Sequence, residues 1–140
     1  MRLVLDTNVI VSAFRSSTGA SAALAQAAVA DKFVMLASQP LFLEYEAVLT
    51  RPAHLNAAKA TLEDASRFLD VFAGVVEPVD IEFLWRPQLQ DADDEMVLEC
   101  AVNGRAEAIV TMERATFEGA ARSFGVRVLT PGRAWSMVRT

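Results

Sequence analysis

The chain is poor in the residues that carry several familiar chemistries. It has one cysteine, Cys100, among 140 residues, so no intrachain disulfide can form, and a reducing compartment, the cytoplasm by default, is expected. Cys100 falls in an apolar helical pattern, where a thiol packs as a small hydrophobe. The sole histidine, His54, lies beside Pro52 in an apparent turn and reads as surface or structural. No apolar run reaches the ~18 residues needed to cross a bilayer. Asp6 and Asn8 interrupt the first apolar stretch, so no signal peptide is expected either. Nor is there an excess of basic residues. The net charge is −5, which taken alone argues against a phosphate-binding surface. Carboxylates gathered round a bound cation escape that objection, because the ion reverses the local sign. Thirteen basic residues remain to line a groove.

What the chain does have is apolar material in short, punctuated runs. Hydrophobic residues make up 53% of it, enough for one core, and abundant alanine favours helices. Neither repeats nor linkers break it, so residues 1–140 are expected to form a single domain. Residues 3–5 read as a buried strand, followed by helices over about 9–14 and 21–30 and a strand over 33–37. Ser38 is placed to cap a helix with Pro40 in its first turn, running to about Thr50, and Arg51-Pro52 ends it. Thr61 caps a helix with Leu62, Ala65, Leu69 and Phe72 on one stripe. Residues 75–81, with Pro78, suit an edge strand, and 83–90 a loop. A helix from about Asp93 to Gly104, a strand over 108–111, a helix over 114–124, a strand over 126–129 and a short helix or turn over 132–138 complete the chain. Strands alternating with helices predict an α/β three-layer sandwich with a mainly parallel sheet. In such sheets chemistry gathers at the carboxyl ends of the strands.

Acids stand where that rule directs attention. Asp6 follows the first strand directly; it could also cap the next helix, a task Asn8 could equally perform. Asp91, Asp93, Asp94 and Glu95 crowd into five positions. A helix N-terminus explains one or two of them, at roughly 0.3–1 kcal/mol each, with Asp91 and Asp93 as cap candidates. Asp94 resists that explanation. At ~100° per residue it shares a face with Val97, Leu98 and Ala101, where an unpaired carboxylate is costly and a metal ion would relieve the cost. Glu44 and Glu46 flank the apolar arc of Leu41, Phe42, Tyr45, Val48 and Leu49, one at each edge, and angle does not choose between them. Glu113 comes just after the strand that ends at Thr111. Mg²⁺ and Mn²⁺ take oxygen ligands of this kind. They activate water and offset the charge of a phosphoryl transition state, so no serine or cysteine nucleophile is required.

The order of these motifs is similar to that of the PIN-domain family, in particular its bacterial branch related to the VapC toxins. Leu5-Asp6-Thr7-Asn8-Val9 with Ser12-Ala13 resembles the family's opening. Glu44 before Val48-Leu49 and Arg51-Pro52, Asp91-x-x-Asp94, Ile109-Val110-Thr111 with Phe117, and the closing run from Gly125 to Pro131 follow in order. The resemblance covers nearly the whole chain. It implies a PIN-like fold and a metal site of Asp6, Glu44 and Asp94, which decides for Glu44 on its helix. It further implies Asp91 as a supporting acid, Thr7 and Thr111 at the rim, and Asn8 bracing the loop after the first strand. The activity implied is RNA cleavage with Mg²⁺ or Mn²⁺, in a homodimer whose toxin members are held inactive by a small antitoxin. One departure stands out: the family's aspartate or asparagine after Val110-Thr111 is here Glu113, a longer acid that would serve as the fourth catalytic carboxylate.

Two other functions fit parts of the pattern. A haloacid dehalogenase-like phosphohydrolase also places an aspartate after its first strand, but wants a second acid where Asn8 stands. A catalytically weak PIN-fold module that binds RNA or a partner would suit the acidic charge and Glu113. Arg15, Arg51, Arg86, Arg114 and Arg133 are candidates for contacting RNA, and Leu62, Phe68 and Phe72 for a dimer surface.

Overall fold

The structure, a computed structural model, describes residues 1–83 and 88–140. Residues 84–87, within the expected 83–90 loop and including Arg86, lie outside the described residues.

Short apolar runs become strands and the alanine-rich segments between them become helices. In chain order these are β1 (Arg2–Leu5), α1 (Thr7–Arg15), α2 (Ala20–Val29), β2 (Val34–Ser38), α3 (Gln39–Leu49), α4 (Pro52–Ala58), α5 (Leu62–Ala73), β3 (Glu77–Val79), α6 (Ala92–Asn103), β4 (Ala108–Val110), α7 (Arg114–Ser123), β5 (Arg127–Leu129) and α8 (Pro131–Val138). The strands form one sheet in the order β3-β2-β1-β4-β5, and every pairing is parallel. Parallel strands need crossovers that cover the sheet. Accordingly α1 packs on α2 and α3, α3 on α5, and α2 on α8, while α6 lies across β1, β2 and β4 and against α7. The result is an α/β sandwich in which Leu3, Val4, Leu36, Ile109 and Val110 are fully buried at the sheet. No helix among the described residues is long and apolar enough to cross a membrane.

Local chemistry sets most boundaries. The Ser38 hydroxyl accepts from the Leu41 N–H (3.3 Å) with Pro40 in the first turn. Thr61 and Asp64 form a reciprocal capping box, and the Thr130 hydroxyl accepts from the Arg133 N–H (3.2 Å). Pro78 sits in the edge strand β3, where a missing N–H costs least. Cys100 is buried, and burial pushes its thiol up to about 12.

Three expectations need correction. Arg51-Pro52 ends α3, but Pro52 is also the first residue of a further helix, α4. Proline's fixed φ starts helices as readily as its missing N–H stops them. His54 is therefore helical and not in a turn. Leu62, expected on the buried stripe of α5, is 60% exposed: it is the first helical residue, and periodicity assigns a face but not a depth along the axis. Phe72, offered for a dimer surface, is buried in the core.

The end of α6 is a tight fit. A Cβ added at Gly104 would lie 2.8 Å from both the Cys100 carbonyl oxygen and Val79 Cγ2, and 3.2 Å from Leu36 Cδ1. Gly104→Ala is expected to destabilise the fold by about 1–3 kcal/mol through overpacking. This would be read in urea unfolding as a lower midpoint at unchanged slope; an unchanged midpoint would refute it.

Candidate active site

The sheet order puts a topological switch point between β1 and β4: the chain leaves β1 towards β2 and β3, then returns to β4 on the other side. Open parallel sheets bind ligands at such crevices. The register pairs Leu5 with Val110, so the residues that follow, Asp6 and Thr111, emerge side by side.

Asp6 is 6% exposed and both its carboxylate oxygens are engaged. Oδ1 accepts from the Thr7 N–H at the start of α1 (2.7 Å) and Oδ2 from the Thr111 hydroxyl (2.7 Å). The same Thr111 oxygen accepts from the Glu113 N–H (3.0 Å), and Asn8 Oδ1 accepts from the Met112 N–H (3.4 Å). The loop after β4 is thus stitched to the loop after β1. From a third direction the buried Tyr45 hydroxyl donates to the Leu5 carbonyl, which fixes α3, and with it Glu44, against the same strand end.

Asp6, Thr7, Asn8, Glu44, Asp91, Asp93, Asp94 and Glu113 all line one cleft of about 660 Å³. Glu46 is exposed on the far side of α3 and does not line it, so tertiary packing settles what helical angle left open. Asp91 is the N-cap of α6, accepting from the Asp93 N–H (2.8 Å). It therefore both ends the loop and faces the cleft. Thr111 lies beneath the cleft floor, reaching it through Asp6. Glu95 is turned away: buried, it accepts from the Gln88 and Leu89 N–H groups (2.6 and 2.7 Å) and anchors the segment that leads into Asp91. Among the described residues, no three acids converge closely enough to hold an ion as they stand. The acids share a cleft wider than one cation.

Their charges still act on one another. Burial raises the Asp6 carboxyl above its ordinary value; the Thr111 and Thr7 hydrogen bonds oppose this, and Glu113 adds to it. Glu44 is raised by burial and then by Asp93, with Arg51 pulling the other way. Asp94 is raised from 3.8 to about 6 by burial and then by Asp6, Asp91, Glu113 and Asp93. A half-buried carboxylate facing four others is what a bound cation would relieve, and the donor set is all oxygen, which suits a hard ion.

Two lining features escaped the sequence. Asp93 faces the cleft, though local pattern offered it only as a cap. His54 lines the cleft with Arg15 and Arg51, a placement that Pro52 hides because beside it His54 reads as a turn residue.

Fold and site together define an α/β protein with an acidic cleft at the switch point of a parallel sheet. The chain belongs to the PIN-domain family, whose sequence profile matches residues 2–115. PIN domains are generally nucleases, and the nucleases generally use divalent metal ions. Among solved structures, the chain is similar to one in the crystal structure of VapBC2 from Rickettsia felis bound to a DNA fragment from its promoter. The TM-score is 0.62 at 15% identity, over 93% of this chain and 98% of that one. No protein of curated function matches significantly.

The raised carboxyls have a consequence for stability. The folded chain holds Asp94's proton up to about pH 6, where the unfolded chain has already lost it. Stability therefore falls as the pH rises through this interval. Metal-free protein is expected to melt higher at about pH 5 than at neutral pH, and Asp94→Asn to flatten that slope and raise the neutral melting temperature. Melting curves in chelator across the range test this; parallel slopes for the two proteins would contradict it.

Proposed function

We propose that this protein is a Mg²⁺- or Mn²⁺-dependent endoribonuclease that acts at the acidic cleft and serves as the toxin of a toxin–antitoxin pair. The observation that carries the nuclease reading is the gathering of Asp6, Glu44, Asp94 and Glu113 on one cleft at the β1–β4 switch point. The toxin role, the small antitoxin partner and the homodimer rest on the sequence resemblance to the VapC-related branch, and the cytoplasmic location on the single cysteine, Cys100.

Asp6, Glu44 and Asp94 would hold the ion, with Glu113 as the fourth acid. A divalent cation, when bound, supplies Lewis acidity towards water and the phosphoryl oxygens. The protein's own groups do the positioning. Thr111 and Thr7 fix both oxygens of Asp6, so its orientation does not depend on what enters the cleft. Asn8 holds the 111–113 loop, which sets the origin of Glu113's longer reach. Asp91, by capping α6, fixes the turn from which Asp94 projects, and its own charge adds to the field there.

A second reading is favoured by one observation. The acids are spread and not closed on a cation-sized point, as a module that binds RNA or a partner without turnover would tolerate. Two measurements separate the readings. Mn²⁺ should stabilise the nuclease by RT ln(1 + [L]/Kd), about 2.7 kcal/mol at a hundredfold excess over Kd, whereas a binding module gains little. Single-stranded RNA should be cleaved in Mg²⁺ or Mn²⁺, and Asp6→Asn or Asp94→Asn should lower the rate by about 10²-fold or more, equivalent to about 2.7 kcal/mol of barrier, while circular dichroism stays native. Equal cleavage by the wild type and both variants would end the assignment of these ligands.

A further inference from the structure

The cleft has a second wall. Among the described residues, Arg15 and Arg51 are the arginines that line it, with His54 beside them. Both arginines are exposed, and neither has a salt-bridge partner among the described residues. The other arginines considered from sequence differ. Arg114 is tied through two nitrogens to Glu118 (3.0 and 2.8 Å), and Arg133, on α8, does not line the cleft.

The spacing matters more than the charge. Asp6 caps α1 and Arg15 ends it nine residues later; at 1.5 Å per residue the two stand roughly 13 Å apart along the helix. Arg15 is therefore rooted at the far end of α1 from Asp6, while lining the same cleft. Arg51 is the N-cap residue of α4 and close enough to Glu44 to oppose part of the rise in its carboxyl. The cations thus run from the edge of the acid cluster outward along one side of the cleft. A polyanion entering the acid-lined cleft of a chain of net charge −5 is favoured along such a strip.

We infer that Arg15 and Arg51, with His54 filling the wall between the two helices, form a binding site for the phosphates that flank the one placed among the acids. Single-stranded RNA therefore crosses the cleft from α1 and α4 towards the N-terminus of α6. This rests on the nuclease reading for the position of the scissile phosphate, but the affinity of the wall for RNA does not.

The test is fluorescence anisotropy with a labelled short single-stranded oligoribonucleotide in Mg²⁺. Asp94→Asn is the background, so that cleavage does not intervene. Arg15→Gln and Arg51→Gln should each weaken binding by about tenfold and reduce the slope of log affinity against log salt by about 0.7. Arg133→Gln should leave both unchanged. Thermal melts confirm that these exposed substitutions leave the fold intact. In the otherwise wild-type chain, KM for RNA should rise more than kcat falls. Unchanged affinity and salt slope in the Arg15→Gln/Arg51→Gln double variant would overturn the inference, whether or not the wild type cuts RNA. Loss of binding in a chain that proves unable to cleave would keep the wall and discard the nuclease.

Discussion

A carboxylate buried at the end of the central strand governs how this site is built. Asp6 is nearly sealed from water, and an isolated charge there would be prohibitive. It is tolerated because each oxygen receives a hydrogen bond from a different part of the chain, one from the first turn of α1 and one from the end of β4. Those bonds require β1 and β4 to be neighbours in register. The backbone supplies that register directly, with the Asp6 N–H donating to the Val110 carbonyl (2.9 Å), while on the other side of β4 the Thr111 N–H donates to the Leu129 carbonyl of β5 (2.9 Å). The sheet order is thus the condition under which a buried acid can exist at this point.

Once Asp6 is in place, the remaining acids arrive on elements packed for apolar reasons. α3 is held by Leu41, Tyr45, Val48 and Leu49 and α6 by Val97, Leu98, Cys100 and Ala101; Glu44 and Asp94 are carried to the cleft on their flanks. The apolar core supplies the free energy that offsets the crowding of like charge, which is why the acids can repel one another and still stand in one cleft. An open, self-repelling cluster of oxygens is also more receptive to a cation than one already satisfied by lysine or arginine. The free arginines stand along a separate wall, and Arg51 alone bears on an acid, Glu44.

Much of this was legible in the residues, and the failures share a cause. Strand positions followed from short apolar runs, the start of α3 from Ser38 and Pro40, and the start of α5 from Thr61, because each depends on chemistry within a few residues. Leu62 failed because burial at a helix end depends on what lies beyond it. α4 failed because Pro52 carries a stop and a start in one residue, and His54 was lost from the cleft with it. Glu44 and Glu46 were equivalent by angle, since both border the same arc; only the packing of α3 against β1, fixed by Tyr45, tells them apart. Asp91 and Asp93 are both cap candidates by local pattern; Asp91 takes the cap and Asp93 lines the cleft. Local rules locate elements, while the facing of a polar side chain on an element's border is decided by its neighbours.

Thr111 shows how far the site depends on hydrogen-bond direction. A threonine hydroxyl has one proton and two lone pairs. Its proton goes to Asp6, so towards the Glu113 N–H it can only accept. One oxygen therefore joins two acids, supporting the side chain of the first and the backbone of the second. Valine would match the shape, but it would strip Asp6 of one of its two partners and release the loop that carries Glu113; serine would preserve both bonds. The acid this loop carries to the cleft is a glutamate, with a longer and more mobile side chain than aspartate. Holding its backbone through Thr111 limits the freedom that the extra methylene introduces, so the fixed geometry of the loop compensates for the reach of the residue it presents.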